Sequence, residues 1–159
     1  MSGKYLAVLA GITAAAGAVL YFYLGESARP ELRLDARDPA QVARGRVVYE
    51  QRCAVCHGQQ LEGQANWRIR LANGRMPAPP HDDTGHTWHH PEEVLLAIVR
   101  NGLVPPHAPA GYPSDMPAFR KVLSEEDIRA VLAYIESHWS AEIMKIREEM
   151  LAQSRGARR

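Results

Sequence analysis

The stretch Cys53-Ala54-Val55-Cys56-His57 constrains this chain more than any other. Two thiols on one helical turn add across the two vinyl groups of a haem. The imidazole directly after the second thiol then faces the iron as its proximal ligand. The spacing C-x-x-C-H is the attachment signature of a c-type haem. Two other chemistries use parts of the same pattern. A redox dithiol shares the two cysteines, but it does not need the adjacent His57, and no βαβ pattern surrounds the motif. A zinc site would draw on Cys53, Cys56 and two of His86, His89 and His90, a cluster that itself has ligand-like spacing. The haem reading accounts for all three chemical groups of the motif.

Size and composition agree with it. At 159 residues the chain suits one compact domain with appendages. The only two cysteines both lie in the motif, so there is no disulfide framework. A formal charge of +1 is too small to suggest nucleic acid as a partner. With two Phe in the whole chain, a modest core gains much from a large apolar cofactor.

Tyr5 to Leu24 is an uncharged apolar run of 20 residues, enough to span roughly 30 Å of hydrocarbon as a helix. Tyr5, Tyr21 and Tyr23 sit at its ends, where aromatic belts are expected. A cleaved signal peptide would end near Ala14-Ala15-Ala16 or Ala16-Gly17-Ala18, yet the apolar run continues past both. An uncleaved single-pass anchor over residues 1–24 is therefore expected, in contact with the lipid bilayer. Because haem c is normally attached after export, the N-terminus is placed in the cytoplasm. The haem domain then faces the periplasm or outer side of the inner membrane. Residues 25–38 read as a polar linker, 39–140 as the haem domain, and 141–159 as an amphipathic helical extension with a basic tail.

Within 39–140 the helix signals are local. Asp38-Pro39 offers an N-cap acceptor and a proline at the first helical position, predicting a helix over Ala40 to Gln51. Val42, Gly45, Val48 and Tyr49 share one face of it, and Gly45 permits close contact with another helix. Pro91-Glu92-Glu93 opens a second helix, with Val94, Leu95, Ile98 and Val99 as its stripe and Asn101-Gly102 as its stop. Ser124 and Asp127 form a capping-box-like pair before Ile128, Val131, Leu132 and Ile135. Trp139, Ile143, Ile146 and Met150 continue at helical spacing, so this last helix is expected to run on past the domain.

An iron with His57 on one face has four candidates for the other: Met76, Met116, His107 and the histidines from His86 to His90. A ligand must cross to the opposite face, which is easier after an intervening helix. Met116 lies beyond the Pro91 to Arg100 helix, in a proline-rich loop stiffened against motion. Met76 follows His57 without a predicted element between them. Met116 is the expected second iron ligand. The three histidines at 86, 89 and 90 are read as polar residues around a helix start rather than as a second metal site. Both cysteines are already committed, and no nearby carboxylate completes a catalytic spacing.

These parts together resemble a membrane-anchored monohaem class I cytochrome c of bacterial type. The resemblance covers about Pro39 to Trp139. It rests on Gly45-Arg46-Val47-Val48-Tyr49, Cys53-Ala54-Val55-Cys56-His57-Gly58, Met116-Pro117-Ala118-Phe119 and the closing helix Ile128 to Ser137. It implies an all-α fold of helices around one covalent haem c, held by Cys53, Cys56, His57 and Met116. It also implies a crossing of the first and last helices, with Gly45 and Tyr49 against Val131 and Tyr134. A proline carbonyl, from Pro79 or Pro80, would accept a hydrogen bond from the proximal imidazole, and Trp88 resembles an aromatic donor to a haem propionate. The segment Gly85-His86-Thr87-Trp88-His89-His90 resembles a stretch found in a subgroup of bacterial anchored cytochromes.

The implied activity is one-electron transfer without substrate chemistry, shuttling between membrane complexes such as a quinol-oxidising complex and a terminal oxidase. Two alternatives remain beside it. One is a haem-bearing subunit of a larger respiratory or photosynthetic complex, and the other is a haem enzyme or sensor with a labile sixth ligand. Arg68, Arg70 and Arg75 offer a docking patch for an acidic partner.

Overall fold

Asp38 begins the first helix as its sequence position implies: its carboxylate accepts from the Ala40 amide at 2.9 Å, with Pro39 in the first turn. Helix α1 (Pro39–Arg52) leads into the short α2 (Ala54–His57), which carries the motif. A 3₁₀ turn (Thr87–His89), α3 (Glu92–Asn101), α4 (Glu125–Glu136) and α5 (Ala141–Gly156) follow. This computed structural model describes residues 33–156. The expected membrane-spanning segment, Tyr5 to Leu24, lies outside the described residues. Among those described, the protein is helical with no strand, and no helix is long and apolar enough to cross a membrane.

The two strongest helix starts are chemically complete. Ser124 Oγ accepts from the Asp127 amide at 3.1 Å while the Asp127 carboxylate accepts from the Ser124 amide at 3.1 Å, satisfying two otherwise orphaned donors. Arg44 of α1 reaches the same corner, 2.9 Å from the Asp127 carboxylate and 2.5 Å from that of Glu126. The Ser124 hydroxyl first, and Arg44 after it, hold the Asp127 carboxyl below its usual range.

Helices α1 and α4 cross at Gly45. A Cβ there would lie 1.9 Å from the Ala130 carbonyl oxygen and 2.8 Å from Tyr134 Cβ. Only a residue without a side chain allows this approach. Tyr49, one turn on, is fully buried, with its ring 5.3 Å from that of Tyr134. The apolar faces of α1, α3 and α4 meet in a core that includes Val48, Leu95, Ile128 and Val131. In α3 the buried pair is Leu95 and Leu96, while Ile98 and Val99 are half-buried, and Leu95, Ile98 and Val99 all line a cavity.

The C-terminal part differs from the expected continuous helix. Helix α4 ends at Glu136, where the Ser137 hydroxyl donates to the Tyr134 carbonyl at 2.7 Å. Trp139 is buried, and its indole donates to the His81 carbonyl at 2.9 Å. A new helix, α5, then starts and packs on the 3₁₀ turn at Thr87–His89. Helical spacing alone cannot register such a break, because Trp139 satisfies the pattern equally well on either side of a turn.

Candidate haem-binding site

Tyr49 carries the position of α1 into the motif. Its hydroxyl donates to the Gly58 carbonyl at 2.9 Å, with the His57 carbonyl at 3.3 Å. The Cys53 carbonyl accepts from the His57 amide at 2.9 Å, so Cys53, Cys56 and His57 are presented from one turn. All three line a cavity of about 560 Å³, within the roughly 300–1,000 Å³ of cofactor pockets. Its remaining walls are chiefly apolar, from α3, α4 and the two proline-rich stretches.

The chain after His57 folds back onto residues 78–80. The Gly63 amide donates to the His57 carbonyl at 2.8 Å, and the Gln64 amide to that of Ala78 at 2.9 Å. This places the Pro79 carbonyl oxygen 2.8 Å from His57 Nδ1, so of the two expected prolines it is Pro79 that faces the imidazole. A carbonyl only accepts, so Nδ1 carries the proton and Nε2 keeps its lone pair for a metal. Burial lowers the His57 pKa and the Pro79 bond partly opposes it.

Burial, and to a lesser degree Cys56, pushes the Cys53 thiol up to about 11. A catalytic dithiol needs the reverse, a stabilised thiolate. Cys53 thus offers no stabilised thiolate, and a redox dithiol leaves the adjacent His57 without a role. The zinc reading fails on placement: the three histidines at 86, 89 and 90 form a cluster of their own, without a cysteine in it.

Met116 and Met76 both line the cavity. Their segments are joined by Arg75, whose guanidinium donates to the Ser114 carbonyl at 3.0 Å and pairs with the Asp115 carboxylate. The Met116 amide donates to Ser114 Oγ at 3.1 Å, and the Phe119 amide to the Val99 carbonyl at 3.0 Å. The Met116 loop is thus pinned at both ends, on one side to the end of α3.

Of the arginines offered as a docking patch, Arg75 is spent on this bridge. Arg70 donates to the Gly74 carbonyl at 2.7 Å and lies over the Tyr112 ring, and Arg68 lies over Trp67. Arg68 and Arg70 both remain exposed. Trp88 is not among the cavity-lining residues and packs against the core. Its buried Nε1 finds no partner among the described residues.

One site residue escaped the sequence reading. The His81 ring stacks on that of His57 with centroids 4.0 Å apart. It is half-buried in the cavity wall, and burial keeps its pKa well below the usual value. Its Nδ1 lies 2.7 Å from Thr87 Oγ1. The only sequence signal was its place at the head of a histidine-rich run.

The residues present fit a haem: a large apolar cavity, two thiols on one turn, an oriented imidazole and a thioether. Residues 40–135 match the family described as cytochrome c oxidase, cbb3-type, subunit III. A cbb3-type cytochrome c oxidase subunit CcoP from Azospirillum sp. (strain B510) is 31% identical over 104 residues, covering 64% of this chain and 30% of that protein. The corresponding subunit of Azospirillum brasilense is 29% identical over 117 residues, covering 72% of this chain and 35% of its own length. The chain thus spans about a third of the length of these relatives. No solved structure matches it. The chain belongs to the cbb3-type cytochrome c oxidase subunit III family, and it is a c-type cytochrome that binds haem c covalently.

Proposed function

We propose that this protein is a haem-bearing electron-transfer subunit of a membrane oxidase complex rather than a freely shuttling carrier. The observation that carries this reading is the match of residues 40–135 to an oxidase subunit family. Cys53 and Cys56 would tether the haem, and His57 Nε2 and Met116 sulfur would ligate its iron. When bound, the haem accepts and releases a single electron at its iron.

The chain's own residues set the conditions. Pro79 fixes the His57 tautomer, Tyr49 locks the backbone behind it, and the apolar wall from α3 and α4 excludes water. Methionine ligation raises the potential relative to bis-histidine ligation, and an apolar surround acts the same way by disfavouring the more highly charged oxidised state. The partners are the catalytic subunits of the oxidase and the electron donor that feeds it. The N-terminal apolar run holds the haem domain at the outer face of the inner membrane, which raises the effective concentration of donor and acceptor for one another.

Mild detergent extraction followed by native electrophoresis with haem staining tests the proposal. The expected result is haem stain co-migrating with oxidase activity in a complex far larger than this chain. Haem recovered only in a fraction of monomer size would sink the subunit reading in favour of the shuttle.

A further inference from the structure

The histidines at 86, 89 and 90 take no part in the arrangement just described, apart from His86 at the cavity wall. Sequence reading favoured polar residues around a helix start. The structure does something more specific with them. The 3₁₀ turn at Thr87–His89 brings the three rings together, with centroids 5.5, 5.3 and 4.8 Å apart in pairs. One ligand nitrogen from each lies within 4.8 Å of the others. His86 Nδ1 and His90 Nε2 are 3.2 Å apart. Nitrogens bound tetrahedrally at 2.0–2.1 Å from a metal sit roughly 3.3 Å from one another. That pair is already at ligand spacing, and the exposed His89 offers a third nitrogen within 4.8 Å.

The surroundings hold this geometry. Trp67 stacks on the His86 ring at 5.4 Å. Arg147, buried on α5, donates to the carbonyls of Trp88 and His90 and so clamps the backbone between the histidines. Ser140, at the start of α5, donates its amide to the Asp83 carboxylate at 3.0 Å. A rigid second layer of this kind is what keeps metal ligands in place.

We infer that His86, His89 and His90 form a second metal site, distinct from the haem iron, for a divalent transition metal that favours imidazole nitrogen. His86 Nδ1 and His90 Nε2 share one hydrogen bond without a metal, so the donor of the two gives up that proton, to its own second ring nitrogen or to solvent, when a metal binds. The same neighbourhood selects among metals. No carboxylate belongs to the cluster, and the positive charges of Arg68 and Arg147 beside His86 and His90 oppose any cation, so only a metal with strong affinity for imidazole nitrogen binds there. Magnesium and calcium, which need oxygen ligands, are excluded. Copper(II) and zinc(II) gain most from three nitrogens, and copper(II) the more by the usual affinity order. The exposed side of His89 leaves a coordination position open to solvent.

The test uses chelator-treated, haem-loaded protein titrated with copper(II) chloride and, separately, zinc chloride by calorimetry. Electron paramagnetic resonance of the copper form and the haem absorption spectrum are recorded alongside. The expected result is one equivalent of copper bound at micromolar or tighter Kd, with nitrogen hyperfine splitting and an unchanged haem spectrum. His89→Ala, at an exposed position that the fold does not need, weakens binding at least tenfold, and His90→Ala does the same. His138→Ala, outside the cluster, leaves it unchanged. Binding absent in the native protein, or equally strong in His89→Ala and His90→Ala, overturns the inference. So does a haem spectrum that changes in step with metal uptake, which would place the ion at the haem ligands instead.

Discussion

His57 Nδ1 lies 2.8 Å from the carbonyl oxygen of Pro79, and the space that allows it is made by a glycine. A Cβ on Gly63 would lie 2.4 Å from Pro80 N and 2.6 Å from the Pro79 carbonyl carbon. Gly63 also has φ +68°, a conformation other residues adopt at a cost. Imidazole orientation thus depends on two backbone segments in near contact.

Gly63→Ala should therefore force the Pro79 carbonyl away from His57. Overpacking of this kind costs about 1–3 kcal/mol, read as a lower denaturation midpoint of the haem-loaded protein. A weakened bond also makes the imidazole a poorer electron donor to iron, so the reduction potential should rise. An unchanged potential in a destabilised variant would separate packing from ligand orientation.

Met116→Ala should abolish the long-wavelength charge-transfer band that methionine sulfur gives with ferric haem, while Met76→Ala should retain it. Both side chains line the cavity, so the pair of variants decides between them. A band lost only in Met76→Ala would move the distal ligand to the other side of the Arg75 bridge.

Gly45→Ala should be among the most damaging single-methyl changes in the chain. The added carbon would sit 1.9 Å from the Ala130 carbonyl oxygen, and backbone cannot move aside as a side chain can. The helices must separate, at a cost near the upper end of the 1–3 kcal/mol typical of overpacking, or about 3 kcal/mol. Urea titration of the haem-loaded variant measures it. A loss below about 0.5 kcal/mol, the range of ordinary surface substitutions, would contradict the close crossing.

Arg147→Met should keep much of the apolar stem but leave the Trp88 and His90 carbonyls without their donor. A buried unpaired acceptor costs about 1–3 kcal/mol. The effect should concentrate locally, as faster amide exchange across residues 86–90, where α5 no longer clamps the segment. Uniform acceleration over the whole chain would argue for general destabilisation instead.

His81 predicts a pH dependence. Burial keeps it neutral in the folded protein, with a pKa well below the usual 6.5. The unfolded chain takes up that proton near 6.5, so below this pH the unfolded state binds more protons. Stability is complete above pH 6.5 and falls as the pH drops, by at most about 1.4 kcal/mol per pH unit for one such group. The denaturant midpoint should decline between pH 7 and 5, and decline less in His81→Phe.

What the sequence determined by itself is what short-range chemistry determines. Asp38, the pair Ser124 and Asp127, and the thiols and imidazole of the motif act on neighbours within a turn, so their spacing states their role. The glycine at 45 announced a close helix contact through its place on an apolar face. Only tertiary structure decided the rest. Pro79 rather than Pro80 faces His57 because Gly63 packs against Pro79 and Pro80 and Gln64 bonds to Ala78, 14 residues on. Helix α5 returns to the 3₁₀ turn because a buried cation at Arg147 must find acceptors, and those at Trp88 and His90 lie 59 and 57 residues earlier. His81 stacks on His57, and the three later histidines meet, because packing fixes side chains that no local rule constrains. Hydrogen-bond demand over long sequence distances has no signature in spacing, and it shaped the surroundings of the haem.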